Sequence, residues 1–203
     1  MDEQVEHDDD LALIETCRAG KTEAFAWLVE RYKKMVFSLT YRMTGNRWDA
    51  EELAQEAFVR AFRRLADFDA KRRFATWLYT IALNLCRDRA KRKRIAAVPI
   101  DAPIGRARSL LDRLAGTAPD PERQLAAKED EAFVQHSLMG LPAGQKEVLI
   151  LRVQQDLSYA EIAEVLNIPV KQVKARLHRA RRKLRALWTE REPNAEEAHK
   201  TRR

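Results

Sequence analysis

Cysteine, histidine and glycine are all scarce in this 203-residue chain. Its two cysteines, Cys17 and Cys86, lie far apart and outside any Cys-x-x-Cys pair, so neither a disulfide framework nor a zinc site is expected. Each reads as a small apolar filler. With four histidines and no nucleophile–base pair, phosphate-cradling loop or ligand cluster, the chain is expected to have no catalytic residues, metal or cofactor of its own. Only six glycines and few alternating β-branched runs point to an all-α fold. No apolar run approaches the roughly 20 residues that span a bilayer, and no signal peptide precedes Asp2. A cytoplasmic protein without membrane insertion is the expectation.

Positive charge, by contrast, is abundant, with a net +7 that suits a polyanionic partner. Its distribution is uneven. Residues 2–10 carry Asp2, Glu3, Glu6, Asp8, Asp9 and Asp10 with no Lys or Arg, whereas residues 171–189 contain no acid at all. In that cationic stretch Val173, Leu177, Ala180 and Leu184 form one apolar stripe at helical spacing. Lys171, Lys174, His178, Arg181 and Arg185 form a second stripe, flanked by Arg176, Arg179 and Lys183. A helix greasy on one side and cationic elsewhere matches the width of a duplex major groove and the charge of its phosphates. Just before it, Ser158 and Glu161 fit a capping box, Ala163 is small where two helices would cross, Asn167 tolerates a left-handed bend, and Pro169 suits the first turn of the next helix. The sum is a helix-turn-helix rather than a plain hairpin with a solvated basic face.

The remainder divides into two small helical domains. A short helix over Asp9–Ala19 ends at Gly20; Thr22 is expected to cap a long helix carrying Phe25, Leu28, Val29, Tyr32, Val36, Leu39 and Met43. Gly45-Asn46 breaks it, and Asp49 is expected to cap the next, with Glu52 at the box position and Leu53, Ala57, Phe58, Ala61, Phe62 and Leu65 inward. A polar loop, Asp67 to Arg73, leads into a helix from Phe74 that buries Trp77, Leu78, Ile81 and Leu85 and ends in a basic run at Arg94. Residues 95–121 hold Pro99, Pro103, Pro119 and Pro121, which marks a linker, with a helical turn expected at Ser109–Leu114. The expected organisation is therefore an acidic N-terminal segment 1–21, a first domain 22–94, the Pro-rich linker 95–121, a helix-turn-helix domain 122–189 and a polar tail 190–203.

The helix after Phe74 supplies a second nucleic-acid candidate. Thr80, Asn84, Arg87, Asp88 and Lys91 form a polar stripe beside the apolar one; Asn presents a donor and an acceptor to a base edge, and Arg and Lys neutralise phosphate. Phe68, Phe74, Trp77 and Tyr79 surround the loop, and aromatics beside cations can stack unpaired bases, although the spacing of Trp77 also suits the core. The outer face of the preceding helix, Glu52, Gln55, Glu56, Val59 and Arg63, has the pattern of an ordinary solvated face.

In order and spacing these segments resemble the extracytoplasmic-function sigma factors, the minimal two-domain branch of the bacterial sigma-70 family. Asp49-Ala-Glu-Glu-Leu-Ala-Gln-Glu-Ala-Phe58 is similar to region 2.2, Phe74 to Asn84 with Asp88 and the basic run to regions 2.3–2.4, and Leu141-Pro142 through Arg182 to region 4. The resemblance implies a transcription-initiation subunit that directs core RNA polymerase to promoter DNA, reads the −10 and −35 elements and assists melting. It places Glu52, Gln55 and Glu56 on the polymerase β′ clamp helices, with the β flap as a further contact. It makes Asp67 to Arg73 the loop that holds a flipped −10 base, Phe68, Asn84, Arg87, Asp88 and Lys91 the −10 contacts, and Lys171, Lys174, Ala175, Arg176 and Arg179 the −35 contacts. An anti-sigma factor and a role in stress response are implied by the same resemblance. Four positions depart from the family pattern: Lys171-Gln172 stands where Gly-Thr is frequent, Ala175 where Ser is, and Asn167 where Gly is. A self-standing helix-turn-helix regulator would bind DNA as a dimer, but nothing before residue 122 resembles a ligand-sensing domain; an RNA-binding or structural helical protein is the other alternative. The acidic start lies outside the pattern and reads as a solvated end that would screen the basic domains.

Overall fold

The computed structural model describes residues 2–96 and 121–191, with side chains for 7–95 and 130–189. Most of the expected linker and tail, including the Ser109–Leu114 turn, lies outside the described residues. Among the described residues eight α-helices follow in order: α1 Asp2–Arg18, α2 Phe25–Thr44, α3 Arg47–Arg63, α4 Phe74–Ala96, α5 Pro121–Met139, α6 Ala143–Val153, α7 Tyr159–Leu166 and α8 Val170–Arg191. Short 3-10 turns occupy Thr22–Ala24 and Leu65–Asp67. Among the described residues there is no strand, and no helix is long and apolar enough to cross a membrane.

The first unit is built on α2, α3 and α4. Leu28, Val36 and Leu39 from α2, Leu53 from α3, and Leu78, Leu83 and Leu85 from α4 are buried together. Burying a side chain of this kind contributes roughly 1.5–3 kcal/mol. Ala50, Ala57 and Ala61 are fully covered, so α3 meets its neighbours at alanine positions. Gly45 ends α2 in the left-handed conformation at φ 68°, which costs glycine little.

Two expected caps are corrected. Thr22 caps nothing, because the chain first makes a 3-10 turn and α2 begins three residues later without a side-chain cap. Asn46, not Asp49, caps α3: its extended backbone lets its side chain accept from the Asp49 N–H at 3.0 Å. Asp49 lies within the first turn, where a carboxylate complements the helix dipole. It is nearly buried and accepts from Arg89 at 2.7 Å and from Lys93, fastening the start of α3 to the end of α4.

The acidic N-terminus is likewise more than a solvated end. Residues from Asp2 onward are helical, and Ile14 and Cys17 of α1 enter the core. Asp10, at 2% exposure, accepts from the Tyr32 hydroxyl at 2.5 Å and from Arg31 at 2.7 Å. Burial and this hydrogen bond push the Tyr32 pKa well above its ordinary value. A buried carboxylate needs such partners, so Asp10 fixes α1 against α2.

The second unit packs α6, α7 and α8 around Val148, Ile150, Leu151, Ile162, Val165, Val173, Leu177 and Ala180. The capping box forms in both directions: the Glu161 N–H donates to Ser158 Oγ at 3.2 Å and the Ser158 N–H to Glu161 Oε2 at 2.8 Å. Asn167 takes the left-handed bend at φ 51°, and the Ile168 N–H reaches back to the Ala163 carbonyl at 3.0 Å. The apolar stripe of α8 therefore faces inward and its basic stripe outward.

The two units touch. Helix α4 packs on α7, and α2 on α5 and α6. Lys146 of α6 is buried at this junction and donates to the Met43 carbonyl in the last turn of α2 at 2.9 Å. A cation there complements the dipole end, while burial lowers the Lys146 pKa.

Candidate nucleic-acid interface

On α8, Lys171, Lys174, Ala175 and Arg179 are exposed, as the helical spacing requires once Val173 and Leu177 turn inward. Lys174 Nζ lies 5.8 Å from the centre of the Tyr159 ring, and Arg179 Nε donates to the Ala175 carbonyl at 3.2 Å. Arg176 is half-buried against the first turn of α6: a Cβ on Gly144 would lie 2.9 Å from its Nη1. The glycine thus makes room for this guanidinium, a relation that sequence spacing does not reveal.

On α4, Asn84, Asp88 and Lys91 are exposed along one stripe. Phe68 is different. It is buried at 3% exposure and packs against Phe74 and Trp77 with ring centres 5.8 and 5.2 Å away. Phe74, Trp77 and Tyr79 are buried too. The expected stacking surface is therefore a core cluster, and Phe68 is withdrawn as a DNA contact. Its aromatic neighbours explain why: once Trp77 faces inward with Leu78 and Ile81, the ring at the loop root has apolar partners waiting. What remains exposed in the loop is Asp67, Asp69, Ala70 and Lys71.

Arg87 is only partly exposed and is not free. Its Nε and Nη2 donate to the two carboxylate oxygens of Glu147 on α6 at 2.7 and 2.9 Å, and its Nη1 donates to Asn84 Oδ1 at 3.1 Å. The hydrogen bonds to Glu147 raise the Arg87 pKa further above its ordinary value. At the loop, Arg73 donates to Glu161 at 2.7 Å and Arg72 pairs with Glu164, both on α7. Burial raises the Glu161 carboxyl, but hydrogen bonds from Ser158 and Arg73 outweigh it, so its pKa lies below the ordinary 4.5. Three cations of the first unit thus meet three carboxylates of the second.

On α3, Glu52 and Gln55 are exposed and Glu56 is half-exposed. Glu52 receives a hydrogen bond from Arg89, and Glu56 accepts from Arg60 Nε at 2.7 Å. The three residues border a cleft whose floor includes Leu53, Val59 and Leu85. Beside it runs an apolar groove between α2 and α3, formed by Val29, Phe37, Ala54 and Phe58 and rimmed by Lys33, Lys34 and Glu51. Apolar floor and charged rim together are the make-up of a protein-docking surface. Sequence reasoning placed the acidic rim but missed the groove, because Phe37 and Phe58 sit on different helices and meet only after α2 and α3 pack.

Comparison with known proteins agrees with this geometry. The Sigma-70 region 2 model matches residues 28–95 and the Sigma-70 region 4 model residues 134–184. The ECF RNA polymerase sigma factor SigW of Bacillus subtilis is 38% identical over 174 residues, covering 85% of this chain and 92% of that protein. This chain belongs to the extracytoplasmic-function sigma factors. Its relatives include the ECF RNA polymerase sigma-E factor of Escherichia coli, 33% identical over 85% of this chain and 90% of that protein. The sigma factor CnrH of Cupriavidus metallidurans is 34% identical over 89% of this chain and 94% of that protein. A solved structure of CnrH in complex with the cytosolic domain of CnrY superposes with a TM-score of 0.66 over 90% of this chain and 99% of that one. The chain is thus a promoter-directing transcription-initiation factor, a class that confers specificity on RNA polymerase rather than performing the chemistry itself.

Proposed function

We propose that this sigma factor divides promoter recognition between its two units, with residues 22–94 serving polymerase and the −10 element, 122–189 serving the −35 element, and 95–121 tethering them. Lys171, Lys174, Ala175, Arg176 and Arg179 meet the −35 duplex through the major groove. The exposed α8 positions of Lys171, Lys174, Ala175 and Arg179, with Arg176 half-buried beside them on a helix whose opposite face is buried, support this role. Asn84, Asp88 and Lys91 read or flank the −10 element, joined by Arg87 once it leaves Glu147, and the loop from Asp67 to Arg73 receives the flipped base. Glu52, Gln55 and Glu56, with the adjoining apolar groove, dock on the β′ clamp helices, and the second unit engages the β flap. The chain carries no reaction of its own and acts in the cytoplasm.

The observation that carries this reading is the presence of two distinct candidate DNA faces, one on α4 and one on α8, in a single chain of this family. CnrH forms a complex with the cytosolic domain of CnrY; by analogy, an anti-sigma factor clasps this chain and links it to a stress signal. The test is gel filtration with purified core polymerase followed by transcription from a randomised promoter pool. Co-elution and enrichment of a two-part promoter support the reading. Tight duplex binding by the free protein, without co-elution, would instead favour a self-standing regulator.

A further inference from the structure

We infer that Arg18, the last residue of α1, is a positioning residue for −10 base selection, acting through the backbone of the loop that follows α3. The inference rests on the reading of residues 67–73 as the base-receiving loop. The guanidinium makes four polar contacts, one hydrogen being shared, with the carbonyls of Leu65, Ala66 and Phe68: Nε to Leu65 at 3.1 Å, and Nη2 to Leu65 at 2.9 Å, Ala66 at 3.1 Å and Phe68 at 2.6 Å. These carbonyls lie where α3 has ended and the chain turns toward the loop; the Leu65 carbonyl also accepts from the Phe68 N–H at 3.3 Å, closing the 3-10 turn.

The loop is held from two sides at its root. The buried Phe68 ring packs inward against Phe74 and Trp77, and Arg18 grips the Phe68 carbonyl from the α1 side. Immediately beyond, Asp69 organises the exposed tip: its Oδ1 accepts from the Lys71 N–H at 3.0 Å and its carbonyl from the Arg72 N–H at 3.0 Å. The departure angle of that tip is therefore set one residue earlier, by the Phe68 peptide. Arg18 itself cannot drift, because Ile14 and Cys17 are in the core and Asp10 is fastened to Tyr32 and Arg31. Only a planar fork with several donors can hold three carbonyls together; a lysine ammonium at this reach would satisfy fewer of them and fix no plane. The acidic-tipped N-terminal helix thus has a use in recognition: it carries a clamp to the root of a specificity loop that it does not itself extend.

The experiment compares Arg18→Lys and Arg18→Ala with the wild-type chain in complex with core polymerase, at saturating sigma, on a promoter pool randomised across the −10 element. Lys71→Ala in the exposed tip is the benchmark for the loop. The expected result is a selectivity ratio between best and worst base that falls by roughly tenfold at one −10 position in both Arg18 variants, consistent with the sensitivity of a positioned contact to small displacements. Polymerase affinity and preference at the −35 element stay within about twofold. A uniform drop in transcription with unchanged base ratios in Arg18→Lys, while Lys71→Ala alters them, would show that Arg18 only stabilises the fold and overturn the inference. If neither Arg18 nor Lys71 substitutions move any −10 ratio, the loop is not the base reader and the underlying reading fails first. Melting curves identify any loss of folding in Arg18→Ala, and Arg18→Lys then decides.

Discussion

Replacing Glu147 by Gln should loosen the contact between the two units. The Glu147 side chain is 4% exposed and the Arg87 side chain 38%. The carboxylate accepts two parallel hydrogen bonds of 2.7 and 2.9 Å from one guanidinium. A hydrogen bond to a charged group contributes about 1.5–3 kcal/mol net. Glutamine can keep one acceptor contact and loses the charge. Against this, the partly open guanidinium is screened by water, and Gln relieves the cost of burying a carboxylate. The balance is a loss of about 1–2 kcal/mol, or roughly 5- to 30-fold in the ratio of closed to open forms.

Energy transfer between dyes on Lys21→Cys and Arg182→Cys reads that ratio in the free protein. Both native cysteines are buried, and burial pushes the Cys86 thiol up to about 12, so thiol dyes go to the introduced sites. Transfer should fall in Glu147→Gln and in Arg87→Ala, and the double variant should resemble either single one. Unchanged transfer in both single variants would refute the argument. So would additivity within about 0.5 kcal/mol, which marks uncoupled sites. Unfolding of the second unit is excluded by an unaltered helical melting curve.

Asn84→Ala should cut transcription from cognate promoters by roughly tenfold or more, equivalent to about 1–3 kcal/mol of base contact, while polymerase co-elution is unchanged; equal loss of both would make Asn84 structural. Gly144→Ala should leave stability within about 1 kcal/mol, since the clashing atoms end a flexible Arg176 side chain and alanine favours helix, yet alter −35 preference in promoter-pool sequencing; an unaltered preference would remove Arg176 from the reading set. Glu161, with its folded pKa below 4.5, contributes stability that is complete above about that pH and lost as pH falls through the folded value. Acid melting followed by circular dichroism should therefore show a steeper decline for wild type than for Glu161→Gln. Gln55→Ala combined with Glu56→Ala should weaken co-elution with core polymerase without affecting binding of a −35 duplex by the second unit; unchanged co-elution would move the docking face elsewhere.

Where the chain obeys one periodicity, the sequence was a good guide. Val173, Leu177 and Ala180 settle the orientation of α8, and Ser158, Glu161 and Asn167 mark its turn with local hydrogen bonds that need no tertiary context. The errors share a cause. Phe68 looked like an exposed ring because it follows a polar stretch, but its burial depends on Phe74 and Trp77 arriving from the next helix. Asp49 looked like a cap because Asp precedes an apolar run, but a cap one turn earlier and two cations from α4 gave it another use. Asp10 sits in an acidic run indistinguishable from a solvated tail until Tyr32 and Arg31 of α2 are placed beside it. Arg18 offered no signal whatever, since its partners are backbone carbonyls nearly fifty residues away and carbonyls have no sequence identity.

The contact between the units also sets a condition on how promoter recognition proceeds. Elements centred near −10 and −35 are about 25 base pairs apart, or roughly 85 Å along B-form DNA at ~3.4 Å per step. In the closed arrangement α4 packs directly on α7, the helix that precedes the −35 reader. With α4 and α8 reading these elements as proposed, one chain in that form would not reach both at once. Arg87 makes the conflict chemical as well as geometric, because the guanidinium proposed to meet −10 phosphate is held by Glu147, and Arg72 and Arg73 of the loop are held by Glu164 and Glu161. Carboxylates and phosphates compete for the same cations, so separating the units and engaging the promoter are one exchange of anions. Polymerase, by holding the units apart through separate docking sites, would shift that exchange toward DNA without any new contact to the bases.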